Sequence, residues 1–333
     1  MRTERIFIPT RSAPDSLCWC GDTLVDWVAG GRSYALDGRI TESSVLYSYR
    51  FDSAVMSQDG QYAVLYEKLG TKGLLLHRGR VLRELNRSFY HADTYEYPVA
   101  LVTLPSGRTL LAHCPEEYCE LELEDAETGE RLTRRDSESP DFFHSRLQFS
   151  RDGRYLLSAG WIWHPVDAAQ VFDVARALEQ PRSLDEPKEM ELGDSFVEIH
   201  SAAFGERDTL VFECSGLEGE EIAHPDGQPK GSVGLAVYSL TERRVLSVAP
   251  LEKPAGTLMV VGGYAVGFYE HPKLFELTTG RILEQWPEFH TGCQGSSIIH
   301  HLPPSPPFAL DPAGHRFAVA TDKGIEVVRI LTE

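Results

Sequence analysis

Basic side chains are scarce in this chain. Among 333 residues, 32 Lys and Arg stand against 50 Asp and Glu, a formal net charge of −18. That deficit argues against a nucleic-acid backbone or an anionic membrane as the main partner, because both need cationic surface. It favours a basic partner or a cation. Long apolar runs are missing too: nothing approaches the ~18 uninterrupted apolar residues that span a bilayer. The amino terminus, MRTERIFIPTRSAPD, offers only Ile6–Ile8 as an apolar run, too short for the core of an export signal. Cysteine is sparse, at six, and neither Cys18–Cys20 nor Cys114–Cys119 has the CxxC spacing of a zinc knuckle. Without an export signal these read as free thiols in a reducing compartment, and the expected setting is cytoplasmic. No GxSxG elbow and no dinucleotide fingerprint occurs, and Gly262–Gly263 lacks the following Lys of a phosphate loop. Serine-hydrolase and Rossmann chemistry therefore gain no support.

What is present is a repeat. Ser57–Leu65 (SQDGQYAVL), Pro105–Leu111 (PSGRTLL), Ser150–Leu157 (SRDGRYLL) and Asp311–Ala318 (DPAGHRFA) each lie between two apolar runs. Each reads as a hairpin whose glycine takes the positive φ of a tight turn. A second element follows, with a TG-type turn in Leu121–Leu132 (LELEDAETGERL) and Phe275–Leu283 (FELTTGRIL), and a related pattern in Val237–Leu246. Val171–Leu178 (VFDVARAL) fits it less well and is equally compatible with helix. Hairpin plus hairpin makes four antiparallel strands per repeat, the sequence form of a propeller blade.

The expected fold class is all-β, a single seven-bladed β-propeller of four-stranded antiparallel blades spanning 1–333. Its blades fall at about 15–45, 46–87, 90–135, 142–192, 195–250, 255–288 and 296–331. The last is one strand short, and pairing strand 5–9 outside Gly324–Ile330 closes the ring and removes an open edge. The FSRDGRYLL and LxxxxTGxxL elements resemble the WD40-like and YVTN-type seven-bladed β-propeller superfamily over nearly the whole chain. The resemblance is one of architecture, and it implies no particular function.

Loops of a blade alternate between the two ends of the ring. The QDG, PSG, RDG and PAG turns are tight, whereas the opposite set is long and includes Asn86–Tyr97, Trp161–Gln170, Cys214–Ser232 and Pro287–Pro307. Long loops held by a rigid scaffold are where binding and catalysis concentrate. Ten of the twelve histidines map to this face, all but His77 and His315. So do the acidic runs Glu116–Glu117, Glu138–Asp141, Asp185–Asp194 and Glu218–Glu221.

Two functions fit. The first is a non-enzymatic protein-interaction module that binds a basic protein partner through this acidic face. Its anchors would be Tyr90, Trp161, Trp163 and His164, with Glu218, Glu220 and Glu221 steering the encounter. The second is a metal-dependent hydrolase or lyase at the channel mouth. His144, His200 and His301, each where an innermost strand begins, would bind a divalent transition metal, with Asp93 or Glu198 as base. Beside that stands a plain alternative: histidines at strand starts tying one blade to the next. His144 lies five residues before Phe149 and His200 four before Phe204, an offset that can point the rings to opposite sides.

Overall fold

The protein is described here by a computed structural model that covers residues 2–136, 138–187, 190–192, 197–217 and 233–331. Seven antiparallel sheets stand in a ring. Blade 1 comprises Cys18–Cys20, Thr23–Asp26, Arg32–Ala35 and Ile40–Thr41. Blade 2 comprises Ser53–Met56, Tyr62–Tyr66, Lys72–His77 and Arg80–Asn86. Blade 3 is built on Val99–Thr103, Thr109–His113 and Glu122–Asp125, and blade 4 on Gln148–Phe149, Tyr155–Ile162 and Val166–Asp173. Blade 5 comprises Glu198–Phe204, Thr209–Ser215, Gly234–Ser239 and Arg244–Pro250. Blade 6 comprises Leu258–Val261, Tyr264–Gly267, Lys273–Glu276 and Ile282–Gln285. Blade 7 takes Phe308–Asp311, Arg316–Thr321 and Gly324–Leu331 from the end of the chain and Arg2–Pro9 from its start. Among the described residues no helix is long and apolar enough to cross a membrane.

The FSxDG motif has a local cause. Ser57 Oγ donates to Asp59 and accepts the amide of Tyr62, and Ser150 does the same with Asp152 and Tyr155. The side chains thus satisfy turn groups that the ladder leaves over. Gly153 closes its turn at φ 72°, but in blade 7 the left-handed position belongs to His315 at φ 50°, one residue past the glycine.

Middle strands are buried on both faces, as Tyr62–Tyr66 and Thr109–His113 illustrate, because each sheet packs on two neighbours. Seven apolar clusters fill the seven blade interfaces in turn. One of them joins Ile8, Ala309 and Ile325 of blade 7 to Leu17, Leu24 and Tyr34 of blade 1. An eighth, of Tyr95, Phe143 and Trp161, lies among the loops instead.

Two blades depart from four full strands. Blade 3 carries only a bridge between Glu124 and Arg131 at its outer edge. In blade 4 the chain turns at Asp173, whose carboxylate accepts the Arg176 amide, into the helix Val174–Glu179. Val174 and Ala177 pack against Leu121 and Leu123 of blade 3. A buried ion pair of Arg135 with Asp185, 2.6 Å apart, ties the two edges where ladder hydrogen bonds are missing.

Ring closure runs over eight residue pairs, from Arg2 opposite Leu331 to Pro9 opposite Gly324. Ile8 is fully buried at this seam. Ile8→Ala is expected to destabilise the fold by about 2–5 kcal/mol, through lost burial and a residual cavity. Urea unfolding followed by tryptophan fluorescence measures it, with Phe7→Ala at a half-exposed neighbour expected to cost far less.

Candidate functional site

The connection from blade 6 to blade 7, residues 286–307, forms a strap over one end of the channel. Ile298 bridges Tyr95 in the blade 2–3 connection, and Ile299 N donates to Thr94 O at 2.8 Å. Ser297 lands on blade 4, where its amide donates to Asp167 Oδ1 at 2.8 Å and its hydroxyl to Gly160 O. Arg146 locks the landing by donating to Ser297 Oγ, Ala159 O and His200 O. Beneath the strap lies a cavity of about 530 Å³, lined by Arg146, Gln148 and Ser201 from the innermost strands and by Glu96, Lys68 and Cys293.

His200 stands beside that landing because of a bulge. Ile199 pairs with Cys214 and Ser201 with Glu213, so His200 is the extra residue and its ring is re-aimed. Its Nε2 shares a hydrogen bond with Ser215 Oγ at 3.1 Å, and its Nδ1 lies 3.6 Å from Asp167 Oδ2. Asp167 N donates to Glu198 Oε1 at 3.1 Å. The Asp167 carboxylate raises the His200 pKa above the ordinary imidazole value, against burial that lowers it, with Glu198 and Glu213 adding to the rise. Burial pushes Asp167 up, but His200, the Arg146 charge and the Ser297 amide outweigh it and hold the carboxyl below its usual range. Asp167, Glu198 and His200 each place one ligand atom within 4.8 Å of the other two, the one such group among the described residues.

The three histidines expected to act together are not brought together. His144 is buried in the blade 3–4 interface, bonded through Nδ1 to Ser158 Oγ at 3.0 Å and packed near Phe142 and Phe172. Burial pushes its pKa down to about 3, so it is neutral. His301 lies exposed beside the ring of His300. The bulge turns His200 to the face, whereas His144 is held in the blade interface by its bond to Ser158. Asp93 is exposed, with Thr94 as a hydrogen-bond donor to it, and stands apart from the His200 group.

The aromatic residues offered as anchors lie in one ring cluster. Phe143 stacks on Trp161, centroids 3.8 Å apart, and on Tyr118 at 4.2 Å. Tyr90 and Trp163 pack edge-on or tilted over that stack. Trp161 is a buried member, whereas Phe89, at 86% exposure, Tyr90 and Trp163 reach solvent. The stretch 161–170 is a hairpin rather than a long loop: both strands run eight residues and meet at a short turn bearing Trp163 and the exposed His164. Asp141 accepts the Tyr118 hydroxyl at 2.7 Å, and Asp93 and Glu117 are exposed carboxylates of the same set of loops. Glu218, Glu220 and Glu221 lie outside the described residues.

Asp167, Ser297 and Tyr118 had no signal in the sequence pattern, because they meet partners in other repeats. Ser297 and Asp167, for example, are 130 residues apart.

No family model matches the chain, and no curated protein matches it. Solved structures do. The chain is similar to a chain of hydrazine synthase from Kuenenia stuttgartiensis, at 13% identity and TM-score 0.61, covering 98% of each. It is similar to a chain of the mitotic checkpoint complex, at 12% identity and TM-score 0.59, covering 99% of this chain and 94% of that one. A computationally designed protein, Ika8, aligns at 14% identity and TM-score 0.51 over 98% of this chain and 99% of that one. At these identities the likeness is one of fold.

The opposite pKa directions of two histidines provide a test by NMR titration. His144 is expected to show no titration between pH 8 and about 4, and His200 a midpoint above about 6.5, which Asp167→Asn lowers. The signs for stability differ accordingly. Below about pH 6.5 the unfolded chain binds a proton that folded His144 refuses, so this residue removes stability as pH falls. The His200 contribution is complete below its unfolded pKa and fades as pH rises through the folded one.

Proposed function

We propose that this ring is a non-enzymatic protein-interaction module, which docks a basic protein partner through the acidic face that carries its long loops. The observation that carries the reading is the aromatic cluster. Tyr90 and Trp163 present apolar area to solvent over rings held rigid by stacking, and Phe89, the residue before Tyr90, adds a largely exposed ring. Interfaces draw most of their energy from a few such anchors, and pre-ordered rings lose little entropy on binding. Asp141 at the cluster and the exposed Asp93 and Glu117, on a chain with a net charge of −18, favour a partner that brings Arg or Lys. Arg suits this combination best, since its guanidinium stacks on aromatic faces and forks onto carboxylates. The acidic surface also speeds encounter with a cationic partner, an effect that salt screens.

A metal-dependent hydrolase or lyase is the second reading. It draws on the Asp167–Glu198–His200 group alone.

Affinity capture with the purified ring as bait tests the docking reading. The retained proteins are expected to be basic, to elute between about 0.1 and 0.5 M salt, and to fall at least tenfold with a Phe89→Ser, Trp163→Ala double variant. An unchanged retained set with that variant, or retention indifferent to salt, rejects the proposal. Circular dichroism of the double variant confirms that only exposed side chains were altered.

A further inference from the structure

We propose that Asp167, Glu198 and His200 form a binding site for a divalent first-row transition metal ion at the edge of the strap landing. This inference is independent of the docking reading, with which it shares no residue.

Geometry is the first support. Metal–ligand bonds near 2.0–2.2 Å put neighbouring ligand atoms about 3.4 Å apart and opposite ones about 4.4 Å apart. Here the three ligand atoms lie within 4.8 Å of one another, and His200 Nδ1 is 3.6 Å from Asp167 Oδ2. The His200–Asp167 pair is already at the spacing of neighbouring ligands, and rotation of the Glu198 side chain closes the wider separation, by up to about 1.4 Å, onto one ion. The donor mix, one imidazole nitrogen and two carboxylate oxygens, suits zinc or manganese.

The second support is how each ligand is held. Ser215 Oγ bonds His200 Nε2, the Ser297 amide bonds Asp167 Oδ1, and the Asp167 amide bonds Glu198 Oε1. At His200 and Asp167 one polar atom is fixed by a neighbour while the other, Nδ1 or Oδ2, faces its partner in the group, and Glu198 is anchored through Oε1. Metal sites use such outer hydrogen bonds to fix the orientation of their ligands and, at histidine, the tautomer. Two of these three supports come from residues outside the group, one on blade 5 and one on the strap.

Charge is the third. The carboxylates bearing on this point are Asp167, Glu198 and Glu213, and the Arg146 guanidinium is the cation facing them, with His200 itself able to carry a proton. Asp167 and Glu198 set two carboxylates of the group against the one Arg146 guanidinium, a surplus of negative charge that a cation offsets. Asp167 is 3% exposed, so water does little to offset that surplus. The His200 side chain keeps 20% exposure, which leaves a route for the ion and an open coordination position.

Isothermal titration of zinc chloride into untagged, EDTA-treated protein tests the assignment, with cobalt(II) absorption as a second readout of coordination. The wild-type protein is expected to take up one equivalent and to give the intense visible band of low-coordinate cobalt. His200→Gln and Glu198→Gln are expected to weaken binding by about 10–100-fold and to abolish that band. Glu198→Gln keeps the oxygen that accepts the Asp167 amide, so it removes the ligand charge while retaining the local fold. His144→Gln and His301→Gln are expected to leave both signals unchanged. No uptake tighter than millimolar by the wild-type protein overturns the proposal. So does uptake that both His200→Gln and Glu198→Gln leave intact. Neither result bears on docking at Phe89, Tyr90 and Trp163.

Discussion

The antiparallel seam between Arg2–Pro9 and Gly324–Leu331 joins the two ends of the chain within one sheet. Each blade buries both faces of its middle strands, so no blade is stable with one neighbour missing. In an open array of seven, the first and last sheets would each expose an apolar face and an unpaired edge. The seam removes both at once. It also fixes the phase of the ring: Ile8 and Ile325 of blade 7 share a cluster with Leu17 and Leu24 of blade 1. The positions of all loops on the two ends follow from that closure.

Closure explains why distant parts of the chain can build one surface. The strap leaves blade 6, passes over the channel and reaches Thr94 and Asp167, on the far side of a seven-membered ring. A crossing of that kind is useful only if its landing is rigid. Arg146 supplies the rigidity by tying the Ser297 hydroxyl to carbonyls of blades 4 and 5. The same sector holds the two blades that lack a complete fourth strand, where Arg135 and Asp185 clasp the outer edges. It also holds the aromatic cluster. Irregularity in the outer strands is thus matched by additional side-chain ties above and beside them.

The fold was legible because its signals are local. The serine and aspartate of SQDGQY and SRDGRY bond within their own turn, so two copies of the motif announce two hairpins without knowledge of the rest. The helix at Val174–Glu179 was legible only as one of two options, since VFDVARAL carries both a strand period and an Asp cap. Tyr90, Trp161 and Trp163, offered as anchors from their loop positions, share a ring cluster in which Trp161 is buried and supports the others. The histidines were misgrouped because strand period alone cannot foresee a bulge. One extra residue at His200 re-aims its ring, and blade 4 has a register change of its own between Phe143 and Gln148. Asp167 escaped notice because its meaning depends on Ser297, which only the closed ring brings near.

Asp167 therefore connects two features that the sequence keeps apart. One carboxylate oxygen accepts the strap amide, and the other faces His200. A buried carboxylate held in this way cannot rotate to serve one partner without releasing the other, because both oxygens are committed and little water can replace a lost bond. Whatever occupies the space between Asp167, Glu198 and His200, a proton on the imidazole or a cation, thus stabilises the strap landing as well as the site. Loss of the strap contact in turn frees Asp167 to move away from His200. The coupling needs no conformational change at a distance. It follows from one side chain having two oxygens and two neighbours on different parts of the ring.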